Sequence, residues 1–85
     1  MKRAYIKAYN ELKKMGCPVF LRSDYPDTFL ISAEDPDSYM WADYDAYADG
    51  RWDGENTSPK LEAVMKKYHL FCEWETAGCL IVFLA

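Results

Sequence analysis

The sequence predicts an α+β fold: a four-stranded antiparallel sheet built from two helix-hairpin (αββ) units, 1–34 and 58–85, with an extra acidic helix and loop at 35–57 between them and the helices mainly on one face. Three observations predict it. Apolar residues recur at three- and four-residue spacing in three separate stretches, the signature of amphipathic helices. The first and last of these are each followed by two short runs in which the period falls to two, divided by turn formers. The segments LKKMGCPVFLRSDYPDTFLISA and VMKKYHLFCEWETAGCLIVFLA also pass through the same order of helix end, strand, turn and strand, with Lys13-Lys14 matching Lys66-Lys67.

The first helix is expected from about Lys2 to Met15, because Tyr5, Ala8, Tyr9, Leu12 and Met15 form one stripe and Gly16 supplies a stop. Beyond it Cys17, Val19 and Leu21 alternate with Pro18, Phe20 and Arg22. After the turn-rich SDYPD, Phe29, Ile31 and Ala33 alternate with Thr28, Leu30 and Ser32, which makes a hairpin whose first strand Pro18 favours at a sheet edge. A second helix is expected from about Ser38 to Ala48, capped by Asp37 or Ser38, with Met40, Trp41, Tyr44, Tyr47 and Ala48 on one face and Asp45 and Asp49 opposite. GRWDGENT is loop. Ser58-Pro59 then opens a third helix as N-cap and first helical residue, with Leu61, Val64, Met65 and Tyr68 as its buried stripe. From Leu70 the period returns to two, ETAG turns the chain, and CLIVFLA ends it as a strand apolar on both faces. Such a strand is either central in its sheet or, together with Phe20, Leu30 and Phe71, forms a patch that a second copy or a partner covers.

Eighty-five residues make one domain with one modest core, and 51% hydrophobic residues, three Trp, seven Tyr and four Phe supply it. No run approaches the roughly 18–20 apolar residues that span a bilayer, and the charged N-terminus lacks the apolar core of a secretory leader, so a cytoplasmic protein without membrane contact is expected. Cys17, Cys72 and Cys79 form no C-x-x-C pair and are odd in number, which fits free thiols in a reducing compartment.

Chemistry-bearing motifs are few. His69 is the single histidine and falls where the third helix ends, a position that suits a partly positive ring. A Cys-His nucleophile using Cys72 or Cys17 lacks any marked orienting group. DGRWDG places Asp49, Asp53 and Gly54 as in a calcium loop, but Arg51 and Lys60 stand where acidic ligands are required. Zinc lacks a second histidine or paired cysteines, and no phosphate-binding glycine motif is present. A non-enzymatic chain without cofactor or metal is the expectation.

Charge is the most unusual feature. Net charge is −4, yet residues 1–23 carry +5, residues 24–55 carry −9 and the remainder balances to zero. Overall acidity opposes direct contact with nucleic acid. In the acidic stretch Tyr39, Trp41, Tyr44, Tyr47 and Trp52 are interleaved with carboxylates, and at an interface aromatics anchor while carboxylates steer and select a basic partner. Asp35, Asp37, Trp41, Asp43, Asp45, Asp49, Trp52, Asp53 and Glu55 are therefore the candidate partner-binding residues. Carboxylates along a helix and loop also imitate the spacing of phosphates, at about 1.5 Å per residue against roughly 1.7 Å per charge of duplex DNA. In size and general composition the chain is similar to phage and mobile-element proteins that inhibit host defence, including anti-CRISPR and antirestriction proteins that occupy nucleic-acid-binding surfaces. That likeness implies an inhibitor acting on the basic surface of a nucleic-acid-binding enzyme. Two other readings are a structural module that self-associates as a homodimer through its apolar C-terminal strand, and a small-ligand binding protein using a pocket near Cys72 and His69.

Overall fold

The computed structural model describes all 85 residues, and its elements follow the order α1 (Arg3–Lys14), β1 (Val19–Phe20), β2 (Leu30–Ser32), a 3-10 turn (Pro36–Met40), α2 (Ala46–Asp49), α3 (Pro59–Lys67), β3 (Leu70–Thr76) and β4 (Cys79–Leu84). The class is α+β, with a four-stranded antiparallel sheet in the order β1-β2-β4-β3.

Both long helices end at a residue with left-handed backbone. In α1 the amides of Gly16 and Cys17 bond the carbonyls of Lys13 and Leu12 at 3.1 and 2.9 Å, while Gly16 takes a φ of 91°. This is the Schellman arrangement that frees the chain to reverse. At the end of α3 the equivalent left-handed residue is His69, with φ 57° and its amide bonded to the Lys66 carbonyl at 3.2 Å. At its start Ser58 caps α3 by accepting from the Leu61 amide at 3.1 Å, with Pro59 as first helical residue.

The helices bury their stripes on one face of the sheet. Tyr5, Ala8 and Leu12 of α1 and Leu61, Val64 and Met65 of α3 share a core with Phe29, Ile31, Leu80 and Val82. Glu11 joins the two helices, accepting from Lys67 Nζ at 2.8 Å and from the Tyr68 hydroxyl at 2.6 Å. The Tyr5 hydroxyl accepts from the Leu84 amide at 3.0 Å and ties α1 to the end of β4.

Strand β4 is central, paired with β2 on one side and β3 on the other, which explains its two apolar faces. Its backbone offers no free edge, so pairing of two copies through this strand is closed to it; the edges belong to β1 and β3. On the face away from the helices Leu30, Cys79 and Ile81 are buried beneath Phe20, Tyr25 and Phe83. Tyr25 comes from the loop between β1 and β2. Arg22 holds that loop down: its guanidinium lies 5.4 Å from the Tyr25 ring, bonds Asp24 at 2.7 Å and reaches across the sheet to Glu75.

The acidic helix expected over Ser38–Ala48 does not form as one piece. Trp41 to Asp43 run beside Asn56 to Ser58 instead: the Ser58 amide bonds the Trp41 carbonyl at 2.9 Å, the Asp43 amide bonds the Asn56 carbonyl at 3.0 Å, and Ala42 bridges Thr57. These bonds require backbone that a helix cannot supply at the same residues. Asp43 adds a local competitor, its side chain accepting from the Asp45 amide at 3.0 Å. The result is a 3-10 turn and a single turn of α2, separated by a short bridge. No helix is long and apolar enough to cross a membrane.

Candidate protein-docking surface

Breaking the helix redistributes its aromatic residues. Trp41 is 3% exposed and lies in the core with Ala42, under the ammonium of Lys60, which sits 4.5 Å from its ring. Trp41 is therefore a core residue here and not a surface anchor, a correction that follows from the backbone bridge at Ala42. Three of the residues expected beside it on one helix face turn outward, Met40, Tyr44 and Tyr47 being 59, 45 and 60% exposed, and Tyr39, which is not among the residues of that face, is 59% exposed.

The lone cation of the segment organises it. Arg51 Nη2 pairs with Asp43 at 3.1 Å and Asp49 at 2.8 Å, its guanidinium lies 4.0 Å from the Tyr39 ring and 5.1 Å from the Trp52 ring, and its Nη1 donates to the Tyr39 carbonyl at 3.3 Å. Planar, delocalised guanidinium suits this double role of fork and stacking partner. Asp49 also accepts from the Arg51 amide at 2.9 Å, and that bond together with the guanidinium holds its carboxyl below the usual aspartate range. Nothing in the periodicity of the sequence marks Arg51, because an isolated arginine in a loop belongs to no repeating pattern. The available signal was its position as the single basic residue between Asp24 and Glu55.

The nine candidate residues thus divide by environment. Asp43 and Asp49 share the single positive charge of Arg51, Trp52 is partly covered as its stacking neighbour, and Trp41 is buried. Asp35 is exposed and caps the 3-10 turn, accepting from the Asp37 amide at 2.9 Å. Asp37, Asp45, Asp53 and Glu55 are exposed, and with Asp35 they take part in no ion pair. No ion pair joins the N-terminal basic residues to this segment either; every one of the five in the fold uses Arg22, Arg51 or Lys67. Asp24 stands apart, engaged by Arg22 on the loop over the opposite sheet face.

Where the chain returns from the Arg51 loop toward α3 it borders a cleft of about 530 Å³. Glu55, Thr57, Glu62, Cys72, Trp74 and Leu80 are among its walls, and His69 is not, so the expected association of Cys72 with His69 in one pocket does not occur. Burial pushes the Cys72 thiol up to about 12. A thiol held so strongly protonated is a poor nucleophile at neutral pH. No group of three or more His, Cys, Asp or Glu side chains is placed to hold a metal ion.

An α+β chain whose exposed acidic segment mixes unpaired carboxylates with tyrosines is the class of molecule that fold and surface define together. No family model, curated protein or solved structure matches this chain.

Proposed function

We propose that this chain is a non-enzymatic binding protein whose segment 35–55 docks on the basic surface of another protein. The observation that carries the reading is the pairing, in one stretch, of exposed Tyr39, Met40, Tyr44 and Tyr47 with five carboxylates that have no cation of their own. Exposed tyrosines bury large area at small entropic cost, and unpaired carboxylates steer a positive partner and fix its register. The intramolecular pairs of Arg51 keep the loop in shape while leaving Asp35, Asp37, Asp45, Asp53 and Glu55 for the partner. Occupation of a basic surface in this way excludes nucleic acid from it, so the partner class is a nucleic-acid-binding enzyme and the chain acts as its inhibitor, as small anti-defence proteins of phages and mobile elements do.

Affinity capture from a bacterial lysate tests this. The expected result is retention of a basic nucleic-acid-binding protein that added DNA displaces and that high salt releases, with no retention by a variant carrying Asp45→Lys, Asp53→Lys and Glu55→Lys. Retention unchanged in that variant, or indifferent to salt, overturns the proposal.

A further inference from the structure

The cleft beside the Arg51 loop has a chemistry of its own. Its charged walls are Glu55 and Glu62, and no lysine, arginine or histidine lines it. Its apolar part is made of Trp74, Leu80 and the protonated thiol of Cys72. Tyr44 packs edge-on against Trp74 at 5.2 Å and links this wall to the exposed tyrosines of the acidic segment. Thr57 donates its hydroxyl to Glu62 at 2.7 Å, which fixes the direction of that carboxylate and leaves its remaining acceptor capacity unused within the fold.

A group with several donors, a positive charge and an apolar stem complements such walls. Metal ions are a poorer match, because no group of three or more His, Cys, Asp or Glu side chains is placed to hold one. Anions are repelled. An alkylammonium or alkylguanidinium complements these walls: its stem suits Leu80 and Cys72, its charge suits Glu55 and Glu62, and Trp74 supplies an aromatic ring beside them. A volume of about 530 Å³ accommodates such a side chain with its flanking peptide.

We propose that this cleft is a socket for one arginine side chain of the basic partner, so that docking is registered by an inserted cation and not by surface charge alone. The inference rests on the docking reading above but concerns a separable site, which the isolated chain is able to report.

The test is titration of the full chain with Nα-acetyl-arginine methylamide, and separately with spermidine, followed by backbone and indole NMR shifts in buffer of constant ionic strength. Expected are saturable shifts confined to Gly54, Thr57, Cys72 and the Trp74 indole, weakened about five-fold or more by Glu55→Gln with Glu62→Gln. Both substitutions are isosteric and on exposed side chains, and unchanged amide dispersion in the double variant certifies its fold. Shifts spread evenly over the acidic segment, or insensitive to the double variant, overturn the socket. Binding of spermidine without binding of the arginine derivative overturns the assignment to a partner's side chain and makes the cleft a polyamine site. Because no partner is present in the titration, a failed lysate capture leaves its outcome untouched, and the reverse holds equally.

Discussion

The guanidinium of Arg51 lies 4.0 Å from the centre of the Tyr39 ring while the same group pairs with Asp43 and Asp49. One cation thereby joins the 3-10 turn, the bridge before α2 and the end of α2, three pieces with little regular backbone bonding between them. Removing it should loosen the acidic segment without unfolding the sheet. Arg51→Ala is expected to speed amide exchange at Asp43, Ala46 and Asp49 and to lower the urea midpoint by less than a core truncation does. Arg51→Lys should recover only part of that protection, since an ammonium has neither the planar fork nor the stacking face. Full recovery by lysine argues against the stacked geometry.

Trp41 tests the assignment of core against surface. It is buried in the shared core, so Trp41→Ala should cost about 3–5 kcal/mol in urea unfolding. For a domain whose total stability is of order 5–15 kcal/mol, that leaves a marginal fold. Tyr47→Ala, at an exposed site, should leave the midpoint nearly unchanged and weaken partner capture.

His69 occupies a left-handed backbone position where α1 uses glycine. The side chain makes that conformation more costly, so His69→Gly should stabilise the protein by about 0.5–1 kcal/mol, measured by urea or thermal unfolding. Destabilisation instead would mean that the imidazole makes a contact worth more than the backbone relief.

Acid should weaken the fold through two staples. Arg22 holds the Glu75 carboxyl below the usual glutamate range, and Lys67 with Tyr68 does the same for Glu11. With folded values depressed, the unfolded chain takes up protons first. The contribution is therefore present above the ordinary value of 4.5 and is lost as pH falls through the lower folded values. Stability measured against pH should decline below 4.5, and Glu75→Gln with Glu11→Gln should flatten that decline while lowering stability at neutral pH.

Alkali should weaken it through the core thiols. Burial raises Cys17 and Cys72 to about 12 from an ordinary value of 9, so the unfolded chain ionises first and stability falls as pH rises between the two. At pH 8 the buried Cys17 thiol should react with a disulfide reagent far more slowly in the native protein than in urea. Equal rates would contradict its burial.

Local patterns carried much of this architecture. Stripes at helical spacing located α1 and α3, Ser58-Pro59 marked the start of α3, and Pro18 placed β1 at an edge, because each is a short-range preference that acts wherever the chain goes. An apolar run with no polar face signalled that β4 needs cover on both sides. Tertiary structure alone decided what supplies that cover: the helices on one side, and on the other Tyr25 of the β1–β2 loop, which Arg22 fastens to Glu75, a residue 53 positions away.

The acidic segment went the other way. Its composition announced an unusual surface, and its spacing suggested one helix, but the bond from Ser58 to the Trp41 carbonyl and the bridge from Ala42 to Thr57 outcompeted that local preference. The same long-range bonds sent Trp41 inward and Tyr39, Tyr44 and Tyr47 outward, and brought Arg51 onto Asp43 and Asp49. Charge content is a property of the sequence, whereas the choice of which charges pair and which aromatics face water belongs to contacts that only the folded chain makes.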